Sequence, residues 1–304
     1  MSRYLVTGGA GFIGSHLVDY LLLEGHSVTI IDDLSSGKIE NVSKKCKLIV
    51  GNINDIDLLN KTFKNIDFCY HLAAIPSVQK SVDNWVECHK ANLTGTINIF
   101  LQCSKQNIPV IYASSAAIYG DSEIFPLSEE NMPKLLSPYG ADKYSCELQA
   151  HVFAHVHGLK SVGLRFFNVY GSRQDPNSPY SGVISIFIDN IKNNKPLNVF
   201  GDGSQERDFI YIDDVVKALV LARDNIVNKS QIYNVCTGYG VTINSLIKTL
   251  FEVFDKEVPV NYLNRRDGDI HKSIGNNQKA ISEIGFKSLT PLKDGLNSFI
   301  KTII

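Results

Sequence analysis

The feature that most constrains this 304-residue chain is a glycine-spaced turn set between two regular patterns. Tyr4–Thr7 reads as a strand, Gly8-Gly9-Ala10-Gly11-Phe12-Ile13-Gly14 follows it, and a helical pattern runs over about 12–24. Gly8 permits a tight turn, Gly11 lets backbone approach a pyrophosphate, and Gly14 allows close helix–strand packing. An anion at that point meets free N–H groups and the positive end of the helix dipole. The spacing is G-x-x-G-x-x-G rather than G-x-G-x-x-G, so its weight comes from context. Asp32 ends the next predicted strand, near the distance at which an acid meets an adenosine ribose. A carboxylate there accepts ribose hydroxyls and repels a 2′-phosphate, which favours NAD over NADP. The plainer alternative is a structural turn beside a capping acid. Strand, turn, helix and acid falling in order argue against it.

The rhythm continues. Ser27–Asp32, Lys47–Val50, Asp67–His71, Pro109–Ala113 and Ser161–Phe166 read as strands, with helices near 55–63, 85–106 and 138–157. Such alternation predicts an α/β fold with a doubly wound parallel sheet of the Rossmann type, covered on both faces. After residue 170 the pattern changes. Gly171 to Ser181 has loop composition, a helix is expected near 183–193, and a strand at Leu197–Phe200 leads into Gly201-Asp202-Gly203. Residues 211–224 read as helix and 231–235 as a strand that returns to the main sheet. The remainder, about 240–304, alternates helix with one short strand. This predicts a nucleotide-binding domain over 1–170, with return segments near 205–235. A smaller, partly interleaved substrate-binding domain is predicted over 171–304.

Tyr139 and Lys143 lie four residues apart in the first turns of a helix that Ser137 can cap and Pro138 can start. A free tyrosine ionises near pH 10. An ammonium and a nicotinamide cation alongside would favour the phenolate and make it a usable base. Ser115, in Ala113-Ser114-Ser115-Ala116-Ala117-Ile118-Tyr119-Gly120, follows a strand end and can bond the same substrate hydroxyl. Tyr-x-x-x-Lys alone is a common helix-surface pair, and the upstream turn gives it meaning.

The chain is 44% hydrophobic with a formal charge of −1, enough apolar material for one large or two smaller cores. Neither nucleic acid nor an anionic membrane is expected as a partner, since each calls for a basic excess. No apolar run reaches membrane-spanning length. Met1-Ser2-Arg3-Tyr4 does not resemble a signal peptide. Six scattered cysteines without a C-x-x-C pair suggest reduced thiols in a cytoplasmic protein and no zinc site. His151 and His155 have ligand spacing but no accompanying carboxylate, and read as helix-surface residues.

Taken together, Gly8 to Gly14, His71-Leu72-Ala73-Ala74, the serine segment, Tyr139/Lys143 and Leu164-Arg165-Phe166-Phe167-Asn168 resemble the extended short-chain dehydrogenase/reductase family over essentially the whole chain. The likeness is greatest to its nucleotide-sugar 4-epimerases. It implies a catalytic Ser115, Tyr139 and Lys143. It implies an NAD site at Gly8, Gly11, Phe12, Ile13, Gly14, Asp32, Asp33, Asn52, Ile53, Ala73, Ala74, Asn92, Ser114, Tyr139, Lys143 and Phe166. Substrate contacts are implied at Ser115, Tyr139, Asn168, Val183, Val199, Phe200, Arg207, Arg266, Asp269 and Ser273. Arg207 and Arg266 match diphosphate contacts, and arginine's fork suits that anion. Phe200 matches a residue near the uracil. Asn52, Pro76 and Asn276 or Asn277 depart from the family's pattern at single contacts. The helices at 85–106 and 138–157 resemble those that form a homodimer's four-helix bundle.

The resemblance also points to a reaction. Related dehydratases carry an Asp-Glu pair, and decarboxylases a Glu, where this chain has Ala116-Ala117. Without that acid or base, what remains suits epimerisation of a UDP-hexose by transient oxidation at C4. A small residue at the position aligned with Ser273 admits an N-acetyl group, and Ser172-Arg173-Gln174-Asp175-Pro176-Asn177 resembles the N-acetylhexosamine branch. The expected reaction is interconversion of UDP-N-acetylglucosamine and UDP-N-acetylgalactosamine. Alternatives are a UDP-glucose/UDP-galactose 4-epimerase, another dehydratase or reductase of the family, or a non-catalytic NAD sensor.

Overall fold

The computed structural model describes residues 1–176, 182–227, 229–266 and 268–303. Arg3–Thr7 (β1), helix Phe12–Leu23 (α1), Ser27–Asp32 (β2), Lys47–Val50 (β3), helix Ile56–Thr62 (α2) and Phe68–His71 (β4) form the first half of a parallel sheet. Helices Val78–Asp83 (α3), Trp85–His89 (α4) and Gly95–Lys105 (α5) precede Val110–Ser115 (β5). Helix Pro138–His157 (α6) leads to Ser161–Phe166 (β6). Beyond these come Asn168–Tyr170 (β7), Val183–Lys192 (α7), Leu197–Phe200 (β8), Glu206–Arg207 (β9), Phe209–Tyr211 (β10) and Ile212–Asp224 (α8). Ser230–Val235 (β11), Val241–Thr242 (β12), Ile243–Phe254 (α9), Val260–Leu263 (β13), Lys272–Ser273 (β14), Gln278–Ile284 (α10) and Leu292–Lys301 (α11) complete the chain.

Seven strands make one sheet in the order β11-β6-β5-β4-β1-β2-β3, every pair parallel. β1 pairs with both β2 and β4, so the winding direction reverses there, and a crevice opens beyond the carboxyl ends of β1 and β4. The strands read as nearly unbroken apolar runs because helices cover both faces. α1 and α8 pack on one face, and α2, α5 and α6 on the other. The first core continues without a break into α7, α9 and α11, including Phe187, Leu250 and Phe299.

Several predicted elements shift. β5 runs through Ser115, so this serine is the last residue of the strand rather than a residue beyond it. The single helix expected over 85–106 is α4, a π-helical turn at Lys90–Thr94, and α5. α3 was not foreseen. Residues 240–303 hold three short strands rather than one, because β12 and β14 pair only with the two-residue β9 and β13 only with β8. Strands this short leave little alternation to read. Asn177 and Asp267 lie outside the described residues, as does the end of the 171–181 loop.

Candidate active site

The glycine turn follows from packing. Gly8 has φ +72°, and a Cβ there would lie 2.6 Å from Ala73 N, the backbone after β4. A Cβ on Gly14 would collide with the Gly8 carbonyl oxygen. Gly11 is the N-cap of α1, no side chain caps that helix, and its first turn holds no acid, so its leading N–H groups are left for an anion. Phe12 and Ile13 are half-buried in that turn. Asp32 braces it from β2: Oδ2 accepts from Ala10 N at 2.9 Å and Oδ1 from Leu34 N at 2.9 Å. Burial raises the pKa of Asp32 while those two N–H groups oppose the shift. Asp33 Oδ2 accepts from Asn52 Nδ2 at 3.2 Å, which joins two residues expected in the cofactor site. Ala73 and Ala74 follow β4 after Leu72, and Ile53 and Phe166 are buried near the ends of β3 and β6. This set suits a dinucleotide: open helix donors, glycine where backbone must come close, and an acid on the neighbouring strand.

Two expected cofactor residues make hydrogen bonds within the protein. The buried Asn92 amide clamps Ile75, accepting from its N–H at 2.8 Å and donating to its carbonyl at 3.2 Å, and so shapes the loop after β4. Ser114 Oγ donates to Glu147 at 2.5 Å, beneath the crevice.

Tyr139 stands at the start of α6 as the capping pattern requires. Ser137 Oγ accepts from Gly140 N at 3.1 Å, Pro138 occupies the first turn, and Ser81 of α3 accepts from Tyr139 N at 3.1 Å. The Tyr139 ring is 9% exposed, and its hydroxyl has no hydrogen-bond partner among the described residues. Lys143 Nζ lies 5.9 Å from the ring centroid and donates to Ala113 O of β5 at 2.8 Å. Ser115 Oγ accepts from Ala117 N at 3.1 Å and caps the 3-10 turn Ala116–Tyr119. One turn beyond Lys143, Glu147 grips Arg165 with two bonds, 2.9 Å from Nε and 2.7 Å from Nη2. Both side chains are 5% exposed. Burial disfavours the Arg165 charge, and Glu147 more than offsets this, so the guanidinium's pKa is raised. Losing one partner of such a pair costs about 3–5 kcal/mol.

A cavity of about 220 Å³ collects seven of the expected substrate residues: Asn168, Val183, Val199, Phe200, Arg207, Arg266 and Asp269. Arg207 is aimed by Asp269, whose Oδ1 is 2.8 Å from Nη2, and by Glu206 O at 3.0 Å. The Arg266 guanidinium lies over Phe200, 3.6 Å from the ring centroid. Asp208, fully buried beside Arg207 in sequence, accepts from Thr237 N and Oγ1, Gly238 N and Gly275 N, and so ties two loops to its own segment. Ser273 does not line the cavity; it is half-buried on β14, paired in register with Arg207. A larger groove of about 660 Å³, between α9 and β13, holds none of the predicted residues.

The model of the NAD-dependent epimerase/dehydratase family matches residues 4–236. The chain belongs to this family. NAD is therefore its cofactor. A UDP-glucose 4-epimerase of Mycolicibacterium smegmatis is 34% identical over 303 residues, covering 97% of this chain and 96% of that protein. The UDP-glucose 4-epimerase of Thermotoga maritima, solved with UDP-glucose, superposes with a TM-score of 0.96 at 37% identity, covering 99% of this chain and 98% of that one. A UDP-N-acetylglucosamine 4-epimerase from Methanobrevibacter ruminantium, solved with UDP-N-acetylmuramic acid, gives 0.95 at 39% with the same coverage. Sequence reasoning missed Ser81, Glu147 and Asp208. Only Glu147 left a signal, since it repeats the four-residue step from Tyr139 to Lys143.

Proposed function

We propose that this NAD-dependent UDP-sugar 4-epimerase interconverts UDP-N-acetylglucosamine and UDP-N-acetylgalactosamine. The observation that carries the reading is the small Ser273 on β14, outside the cavity lining itself but paired in register with Arg207, which in this reading holds the diphosphate. A serine leaves room beside that anchor which a large ring would take. The likeness to the Methanobrevibacter enzyme supports the same choice.

NAD, when bound, supplies the reversible hydride acceptor for the sugar's C4. Tyr139 takes the proton of the 4-hydroxyl and returns it, and its hydroxyl has no partner among the described residues to hold it from that task. Lys143 sets a positive charge beside the phenol and is held there by Ala113 O. Ser115 Oγ orients the same sugar hydroxyl. Arg207 and Arg266 bind the diphosphate, Phe200 meets the uracil, and Val183 and Val199 wall the pocket. Asp32, Asp33 and Asn52 hold the adenosine end of the cofactor. Ala116 and Ala117 add no acid or base, which leaves the proton on a single path.

Residues 1–170 with segments of 205–235 form the NAD-binding domain in this reading, and the rest of 171–304 closes over the UDP-sugar. The enzyme acts in the cytoplasm as a homodimer through α4, α5 and α6, with no nucleic-acid or membrane partner. No helix among the described residues is long and apolar enough to cross a membrane. The test is a product assay with the UDP forms of N-acetylglucosamine, N-acetylgalactosamine, glucose and galactose. The acetylated pair should give a kcat/KM at least about tenfold higher, and Ser273→Tyr should reverse that order. Turnover of the plain pair alone would make the protein a UDP-glucose 4-epimerase.

A further inference from the structure

Beneath the crevice, two side chains of α6 pin β5, one at each of two successive residues. Lys143 Nζ donates to Ala113 O at 2.8 Å, and Glu147 accepts from Ser114 Oγ at 2.5 Å. Glu147 in turn holds Arg165, which stands opposite Ser114 in the β5–β6 register. Arg165 reaches further: its Nη1 donates to Tyr119 Oη at 2.8 Å, and that hydroxyl donates to Asn234 Oδ1 of β11 at 2.7 Å. Asn234 spends its amide on Leu127 O and Asn276 O, so the chain of bonds ends satisfied. Tyr119 and Asn234 are fully buried. Ser115 thus lies on a six-residue bridge whose two ends, Ser114 and Tyr119, are tied to one ion pair.

From this geometry we infer that Glu147 and Arg165 are positioning residues for the epimerisation, holding Ser115 at a fixed distance from Tyr139. The inference rests on the roles given above to Ser115 and Tyr139. Burying an ion pair is seldom the cheapest way to stabilise a fold, since apolar residues of similar volume often serve as well. What apolar residues cannot do is bond Ser114 and Tyr119 together and set the register of the loop between them. A misplacement of the order of 1 Å at a reacting group is enough to cost about a hundredfold in rate.

The decisive variant is Glu147→Leu/Arg165→Met, which removes both charges and leaves neither unpaired. Glu147→Gln, which keeps acceptor and shape, is its conservative partner. Each is purified with its NAD and compared with wild type in melting temperature, NAD content, kcat and KM for UDP-N-acetylglucosamine and UDP-glucose. The double variant should keep its melting temperature within a few degrees, its NAD and its KM, and lose about 30- to 100-fold in kcat. Glu147→Gln should recover most of that loss. A well-folded double variant with wild-type kcat overturns the inference. So does a kcat that falls only in proportion to lost folded protein. Tyr139→Phe, run beside them, separates this failure from that of the underlying reading: an active Tyr139→Phe would remove the base itself.

Discussion

At the scale of single residues, the site is framed by polar side chains that are buried and hydrogen-bonded. His71, at the end of β4, is the clearest case. Thr96 commits its hydroxyl proton to Asn92 O at 2.5 Å, so His71 Nε2 donates to Thr96 Oγ1 and Nδ1 accepts from Thr7 Oγ1. Burial, helped by the charge of Lys143, lowers the His71 pKa to about 3. The unfolded chain takes up a proton below about 6.5, which the folded chain refuses until about pH 3. Stability should therefore fall as pH drops through that window, by about 1.4 kcal/mol per unit from this group. Unfolding curves of wild type and His71→Gln between pH 4.5 and 7.5 test it: they should converge toward acid, and parallel curves would refute the assignment. For Tyr139→Phe, loss of general acid–base catalysis should lower kcat by about 10²–10⁴-fold with NAD still bound. Full activity would exclude this phenol. Tyr139 and Lys143 were legible because the pair lies within one helix. Arg165 was readable only as part of a motif, because its partner Glu147 is 18 residues away on another element.

Among elements, the βα junction after β1 was readable because each glycine answers a local demand. Gly8 needs a positive φ, and Gly14 must clear the Gly8 carbonyl. Gly11 differs, for a Cβ there would meet only Gly8 O at 3.3 Å and otherwise point into open space. Gly11→Ala should therefore fold with an unchanged apo melting temperature yet bind NAD at least about tenfold more weakly, about 1.4 kcal/mol. Calorimetric titration of the apoprotein decides it, and undiminished affinity would place the pyrophosphate elsewhere. The helical region 78–105 was less legible. Ser77 caps α3, with its Oγ accepting from Lys80 N, and Asn84 breaks the run with φ −131° before α4 begins. The π-turn then seats Asn92 against the loop after β4. That interruption answers to a tertiary contact and leaves no mark on local periodicity. The short strands β9, β12 and β14 were hidden for a related reason: two residues pair because Asp208 gathers the loops around them.

For the whole molecule, the winding reversal at β1, between β2 and β4, opens a crevice at the carboxyl ends of the strands, where the glycine turn lies. One side of α6 carries Leu148, Val152 and Val156 at four-residue steps, 50%, 51% and 61% exposed, while Trp85 and Val86 of α4 are also bare. This stripe supports the proposed dimer. Leu148→Arg/Val152→Arg should yield monomers in light scattering, because a charge cannot be left in such a seam; a monomeric wild type would dismiss it. The reaction itself is tested most directly by incubating the purified protein with UDP-N-acetylglucosamine in heavy water, with no added reductant. We expect UDP-N-acetylgalactosamine to accumulate with protium retained at C4. Deuterium at C4, or a dehydrated or reduced product, would contradict the account.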